Sequence, residues 1–388
     1  MIYNVAYLSY NDRDQELRNR SIQILNDFFK TESYTFKRDE GRLLFVASGG
    51  SEQNAVQLTK KHQNILLLCH RESNSYAATI EIAAYLRTQN KRVSIINVFD
   101  ANAFQEFEEL QKINQGLELL AQQKAALIGE VSDWLIISDV NNQLVKDKLG
   151  IELKRWSWNE LADYKEKEPS QEFLEYFPHL NPEKLHETAK VYRLLEEVIK
   201  EKDLSAISVE CFSMVMREKV TACLPLAVLN NKNIVAACEG DICSMLGKML
   251  IRAISGEIPW QANVAEIKEE IILFAHCTAP LNVLKSFEIT THFETNCGTA
   301  IRGKFEKQTV GVFRVNNQLD KFMLLQGDII NTPDYDFACR TQIEFKTNKE
   351  QAQLLKDQSL GNHHLIFPAK HINLLERMMQ VLGIRRVA

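Results

Sequence analysis

Five side chains in this sequence have the types and placing to hold a cation together. Glu239 and Asp241 lie two residues apart in Ala-Ala-Cys-Glu-Gly-Asp, where an apolar run at 234–238 gives way to a helix-patterned segment. Two acids at the carboxyl end of a buried strand are destabilising unless positive charge meets them. His276 follows a second apolar run, and His363 and His364 form an adjacent pair further on. Carboxylates combined with neutral imidazoles are the donor set of a divalent metal site.

Each of these residues also has a plainer reading. Residues 242, 245, 246, 249, 250, 253 and 254 fall at helical spacing, so Asp241 fits an N-cap, worth about 1 kcal/mol. Glu239 precedes that cap and needs another explanation. A single histidine after an apolar strand, as at His276, is also what a satisfied core histidine looks like. His363 and His364 point to opposite sides of an extended segment, so one faces a given metal while the other meets substrate or a neighbouring loop. His292 and Glu294 share a face if their segment is a strand, with Arg302 following. That face is either solvated or a clamp for the hydroxyls of a polyol. Ser48-Gly49-Gly50-Ser51-Glu52 lacks the Gly-x-Gly-x-x-Gly pattern and a Walker lysine, so it supports no nucleotide cofactor. Cys238 and Cys243 have no second cysteine pair to complete a structural zinc site.

The elements that must position these residues are legible in the hydrophobic pattern. In the first 155 residues, apolar runs at 5–9, 43–48, 65–70, 93–98 and 134–138 predict strands, and 77–88 and 103–124 predict helices between them. Strand and helix in alternation predict a doubly wound parallel sheet. A polar stretch from Asp163 to the Phe-Pro and Asn-Pro pairs reads as a linker or excursion. Residues 182–202 then read as a helix, 206–209 and 234–238 as strands, and Gly256 ends the helix that follows Asp241, giving a second α/β unit. From about 270 the rhythm is β-rich, with predicted strands at 271–275, 288–293, 309–315, 321–330 and 341–345 and a last helix at 372–382. This pattern predicts an antiparallel sheet or barrel. The expected organisation is two doubly wound α/β domains, 1–155 and 156–265, followed by a β-rich, barrel-like domain at 266–388.

A chain of 388 residues exceeds what one core organises, and its 45% hydrophobic and 25% charged content is that of an ordinary globular protein. A net charge of −5 excludes the basic footprint of a nucleic-acid partner. The first residues read as a strand rather than a signal peptide, and no apolar run approaches the roughly 20 residues that span a bilayer. These features predict a cytoplasmic protein without a membrane partner. Its 8 cysteines are scattered and are expected to be reduced.

Several segments, in order, resemble the L-fucose isomerase and L-arabinose isomerase superfamily. Glu239-Gly240-Asp241 is similar to that family's Glu-Gly-Asp or Glu-Asn-Asp. Ile272-Leu273-Phe274-Ala275-His276 resembles its Leu-Val-Leu-Gly-Ser-His, and Gly361-Asn362-His363-His364 resembles its late Gly-Gly-Ala-His-His. Further resemblance lies at 48–52, 73–93 and 292–303, so it covers most of the chain. The resemblance implies an aldose–ketose isomerase acting on a small, fucose- or arabinose-like sugar with a divalent metal, usually manganese. It implies metal ligands among Glu239, Asp241, His276, His363 and His364, with Glu239 and Asp241 as the catalytic pair, one ligating and the other acting as base. His292, Glu294, Arg302 and Glu210 are the candidate substrate-binding residues. It also implies a homo-oligomer, trimer or hexamer, in which segment 48–52 or 70–76 of one subunit approaches another's metal site. One departure stands out: stretch 222–230, where the fucose isomerases carry a second metal-binding carboxylate, holds no acid here. A non-catalytic sugar-binding or regulatory protein with the isomerase fold is therefore the alternative. A pyridine-nucleotide dehydrogenase rests on the α/β pattern alone, and the absent glycine fingerprint counts against it.

Overall fold

Short apolar runs with few charges can be satisfied only by burial on both faces, and the sheets follow from that. The computed structural model describes residues 2–30, 32–37 and 41–388. The chain forms two compact units, 1–115 and 116–388, and the division falls inside the helix Ala103–Ala121.

The first unit is a five-stranded parallel sheet of β1 (Ile2–Leu8), β2 (Ser33–Phe36), β3 (Leu43–Val46), β4 (Asn64–Cys69) and β5 (Arg92–Asn97), in the order β2-β1-β3-β4-β5. Every residue of β3 and β4 is buried, as two-sided parallel strands require. β2 was not expected: its Ser-Tyr-Thr-Phe is a short edge strand with too few apolar residues to register as a run.

The second unit begins with a four-stranded parallel sheet of β6 (Lys124–Ile128), β7 (Glu152–Trp156), β8 (Ala206–Val209) and β9 (Val235–Cys238), in the order β7-β6-β8-β9. Here the sequence expectation needs correcting, because residues 134–138 form turns and the strand lies earlier, at β6. The apolarity of 134–138 does not mark burial, since Ile136 is 93% exposed. Conversely, the Ala-Ala-Leu of β6 looks like a continuation of the preceding helix, because alanine is the best helix former. That helix stops at Ala121 with neither glycine nor proline to announce it.

A β-barrel follows. The strands β10 (Trp260–Lys268), β11 (Ile271–His276), β12 (Ser286–Thr290), β13 (Ala300–Lys304), β14 (Thr309–Val315), β15 (Lys321–Asn331), β16 (Thr341–Lys346), β17 (His363–Pro368) and β18 (Arg385–Arg386) complete the chain. Six of them run β14-β17-β10-β11-β16-β15 in antiparallel pairs, and β14 pairs with β15 to close the ring. β18 adds to β15 in parallel, while β12 and β13 pair apart from the ring. Trp260, Phe274, Val312, Met323, Ile343 and Phe345 fill its core. The architecture is thus parallel α/β sheets followed by an antiparallel closed barrel, as the pattern predicts.

The helix Ile242–Ser255 joins the α/β sheet to the barrel. It leaves the carboxyl end of β9, and Gly247 lets it lie close to Leu365 and Phe313 on the barrel wall. Its entry depends on Gly240, which has φ +69° and no room for a Cβ, because one would fall on the Glu130 carbonyl. Gly240→Ala should therefore lower stability by more than about 1 kcal/mol, the expense of left-handed backbone alone. Urea denaturation of the variant beside the wild type measures it, and an unchanged midpoint would contradict the geometry.

Candidate active site

β9 ends at Cys238, and the chain reverses through Glu239 and Gly240, both with positive φ. Left-handed backbone at a glutamate is strained, typically by about 1–3 kcal/mol, and persists only where its surroundings fix it. Ser132 supplies the fixing, donating its N–H and its hydroxyl to the Glu239 carbonyl at 3.2 and 2.9 Å. The side chain is fixed as well, with Trp134 Nε1 donating to Oε2 at 2.7 Å. The other oxygen, Oε1, lies 3.5 Å from Nε2 of His276 and 3.5 Å from Nε2 of His363. Both Nε2 atoms are buried without a hydrogen-bond partner. Orphaned polar atoms are rare in folded interiors, and two that converge on one carboxylate oxygen fit a cation. Cys238, Glu239 and His276 each offer a ligand atom, all within 4.8 Å of one another.

Asp241 stands behind His363. It is completely buried and caps the helix Ile242–Ser255, Oδ1 accepting from the Ser244 N–H at 2.7 Å. Its Oδ2 accepts from His363 Nδ1 at 2.9 Å and from Arg314 Nη1 at 3.3 Å. Arg314, on β14, also donates to the carbonyls of His363 (2.7 Å) and Leu360 (2.8 Å) and to Ser138 Oγ (2.9 Å). Capping and charge pairing thus both engage Asp241. His364 faces the other side of β17, with its ring 6.0 Å from Phe274 and Nδ1 donating to the Asn362 carbonyl.

The charges at this centre are strongly coupled. Burial opposes ionisation of Glu239, yet His363 and His276 hold its carboxyl well below the usual range. Asp241 is lowered too, Arg314 and His363 outweighing its burial. His363 is pushed up to about 9, because Glu239 and Asp241 together overcome its burial. Burial pushes His276 down, and pushes His364 down to about 3, so both are neutral at physiological pH.

A cavity opens beside Glu239, with His276, His292, Glu294, Trp134 and Phe212 in its wall together with Cys211, Cys223, Cys238, Cys277 and Cys339. Its volume of about 20 Å³ has room for one water or ion. His292 and Glu294 therefore lie at the centre, in the turn that follows β12, with His292 Nε2 3.2 Å from Glu294 Oε2. Burial and the nearby His276 lower His292 to about 4. Burial and the Glu239 charge raise Glu294, so its carboxylate is a stronger base than an ordinary one. Two other candidates are engaged elsewhere. Glu210 accepts from the Ser213 N–H and hydroxyl at 2.8 and 2.7 Å, and Arg302 pairs with Glu288 and Asp334. Trp134 and Arg314 went unnoticed in the sequence. The apolar pattern places Trp134 in a strand, and an arginine in Thr-Val-Gly-Val-Phe-Arg-Val gives no sign of being buried.

With this geometry in view, the relatives of the chain are informative. No family model matches it. It is 23% identical over 270 residues to proteins named sulfoquinovose isomerase from Priestia aryabhattai and Priestia megaterium, covering 64% of this chain and 60% of theirs. It is 27% identical over 187 residues to a sulfoquinovose isomerase from Alkalicoccus urumqiensis, covering 45% and 42%. The similarity is to sugar isomerases. The chain spans about three fifths of the length of the first two relatives. No helix of the described residues is long and apolar enough to cross a membrane.

The His363 shift has a direct consequence for the metal-free protein. A histidine raised from about 6.5 to about 9 adds stability that is fully present below pH about 6.5 and lost as the pH climbs through about 9. Thermal unfolding in the presence of a chelator should show the melting temperature falling across that window. His363→Gln should flatten the fall, and an equal decline in that variant would assign it to other groups.

Proposed function

We propose that this chain is a divalent-metal-dependent aldose–ketose isomerase acting on a small sugar. The observation that carries the reading is the convergence of two partnerless imidazole nitrogens on Glu239 Oε1 beside a cavity. The similarity to named sugar isomerases supports it. Glu239 and His363 would hold the metal, with His276 and Cys238 flanking it, and manganese is the ion that the family resemblance implies. When bound, a divalent ion polarises the sugar carbonyl and lowers the energy of the charge that develops there.

The remaining work falls to the chain's own groups. Isomerisation moves one proton from C2 to C1 and a second from the C2 hydroxyl to the former carbonyl oxygen; the second can pass through water, and the first needs one carboxylate able to take it and give it back. Asp241 is saturated by Arg314, His363 and Ser244, and Glu239 is committed to the metal. Glu294 suits the transfer best, because it shares the cavity and has a raised proton affinity. His292, neutral and 3.2 Å away, holds its carboxyl in place. Glu294 would thus serve where stretch 222–230 lacks an acid.

The second reading is a non-catalytic sugar-binding or regulatory protein. The cavity favours it in one respect, having room for an ion or water but not for a hexose. Purified protein loaded with Mn²⁺ and offered L-fucose, L-arabinose and sulfoquinovose, each in deuterium oxide, separates the two. Isomerisation should place deuterium at the migrating position, because a carboxylic acid near bound sugar exchanges with water. Glu294→Gln should lower kcat by about 100-fold or more while leaving the metal content unchanged, and Glu239→Gln should lose the metal. Full activity in Glu294→Gln would remove that residue from the mechanism, and stoichiometric metal without turnover on any sugar would favour the binding protein.

The resemblance also supports a homo-oligomer, trimer or hexamer, built around the same centre. Sedimentation velocity at micromolar concentration should give a multiple of the 44.6 kDa chain mass, and a monodisperse monomer would overturn it.

A further inference from the structure

The two histidines that converge on Glu239 are held from behind by opposite kinds of group. Behind His276, the Thr278 backbone N–H donates to Nδ1 at 3.3 Å. A peptide N–H can only donate, so this nitrogen presents its lone pair and carries no proton. The single proton of the ring is then on Nε2, the atom 3.5 Å from Glu239 Oε1. Behind His363, Asp241 Oδ2 lies 2.9 Å from Nδ1, and an ionised carboxylate can only accept. That Nδ1 therefore carries a proton. Gln261 Nε2 also approaches it, at 3.3 Å, but Gln261 is oriented by Cys238, accepting from its N–H and donating to its carbonyl. The closer carboxylate decides the tautomer.

The Thr278 amide has no freedom to turn away. Its hydroxyl donates to the Cys223 carbonyl at 2.7 Å, and its carbonyl accepts from Trp260 Nε1 at 2.9 Å. For His276 to ligate through Nε2, its proton would have to move to Nδ1, where donor would face donor, or leave the ring as imidazolate. His363, charged in the metal-free protein, has only to release its Nε2 proton, and the neutral ring left behind keeps Nδ1–H facing a carboxylate, the usual support of a metal-binding imidazole.

We infer that the two imidazoles divide the work: His363 Nε2 is the metal ligand, whereas His276 keeps its Nε2 proton on the side of Glu239 Oε1 and donates it as a hydrogen bond to an oxygen of the bound sugar. This rests on the reading that the Glu239 centre holds a divalent metal. His276 is then a polarising donor, placed to favour negative charge developing on a sugar oxygen without transferring its proton. Thr278 becomes a positioning residue through its backbone, which no side-chain substitution removes.

Two measurements test the division. In chelator-treated protein labelled with ¹⁵N-histidine, His276 should show the pair of nitrogen shifts of the Nε2–H tautomer, whereas a proton on Nδ1 would overturn the inference. In direct titrations with Mn²⁺, His363→Gln should weaken binding by more than about 100-fold, beyond the roughly 10- to 100-fold of outer-shell changes. His276→Gln retains an N–H donor and should stay within about 3-fold of the wild type. Equal losses in the two variants would make His276 a ligand and refute the division. If the wild-type protein binds no Mn²⁺, the metal-centre reading fails, and the nitrogen shifts alone then decide where the His276 proton resides.

Discussion

Arg314 and Asp241 form a buried ion pair on which the rest of the site depends. Neither group is accessible to water, so each would be untenable alone, and removal of one partner from such a pair typically destabilises by about 3–5 kcal/mol. Attraction alone does not explain the arrangement. The guanidinium also satisfies two carbonyls and a hydroxyl from two further stretches of chain, so its donors are nearly all used. Asp241 in turn caps a helix and orients a histidine. One pair of charges thereby ties β14, β17, the 130s loop and the helix Ile242–Ser255 to a common point, and Glu239 hangs from the turn just before it.

Around that point the polarity is uneven. On one side lie the ionised acids with His363 and Arg314; on the other, five cysteines and two aromatic rings line a cavity little bigger than a water molecule. Partial burial there, together with the Glu239 charge, raises the proton affinity of Glu294. The strained backbone at Glu239 fits the same pattern. A relaxed turn would let the carboxylate swing toward solvent, whereas Ser132 and Trp134 hold it against the histidines.

The sequence was most informative where one residue has one local job. Asp241 as a cap, Gly256 as a helix stop, and His363 and His364 on opposite faces follow from rules that act over a few residues. The β-rich carboxyl-terminal region is recognisable by its rhythm, although β10, β13, β17 and β18 do not stand out in it as separate strands. Partnerships over long separations left no trace. Nothing near Arg314 announces a partner 73 residues upstream, and nothing near Trp134 announces Glu239, 105 residues on. The 130s segment misled for a related reason: its apolar residues look like a strand, whereas Trp134 turns its indole N–H to Glu239 and Ile136 faces solvent. Glu294 was legible as a polar residue, but its place in the cavity depends on a turn whose path is set by the barrel.

The closed ring of the barrel has a kinetic side. His363 meets Asp241 at a sequence separation of 122, and Arg314 meets Ser138 at one of 176. Contacts so distant form only after the loops between them have been closed, at an entropic expense that slows folding. The donor set around Glu239 is accordingly absent from any intermediate in which β17 has not yet joined β10 and β14. A ligand captured by that set binds the finished unit and not its parts. It therefore withdraws population from every partly open form at once, and protection from hydrogen exchange would spread well beyond the residues it touches.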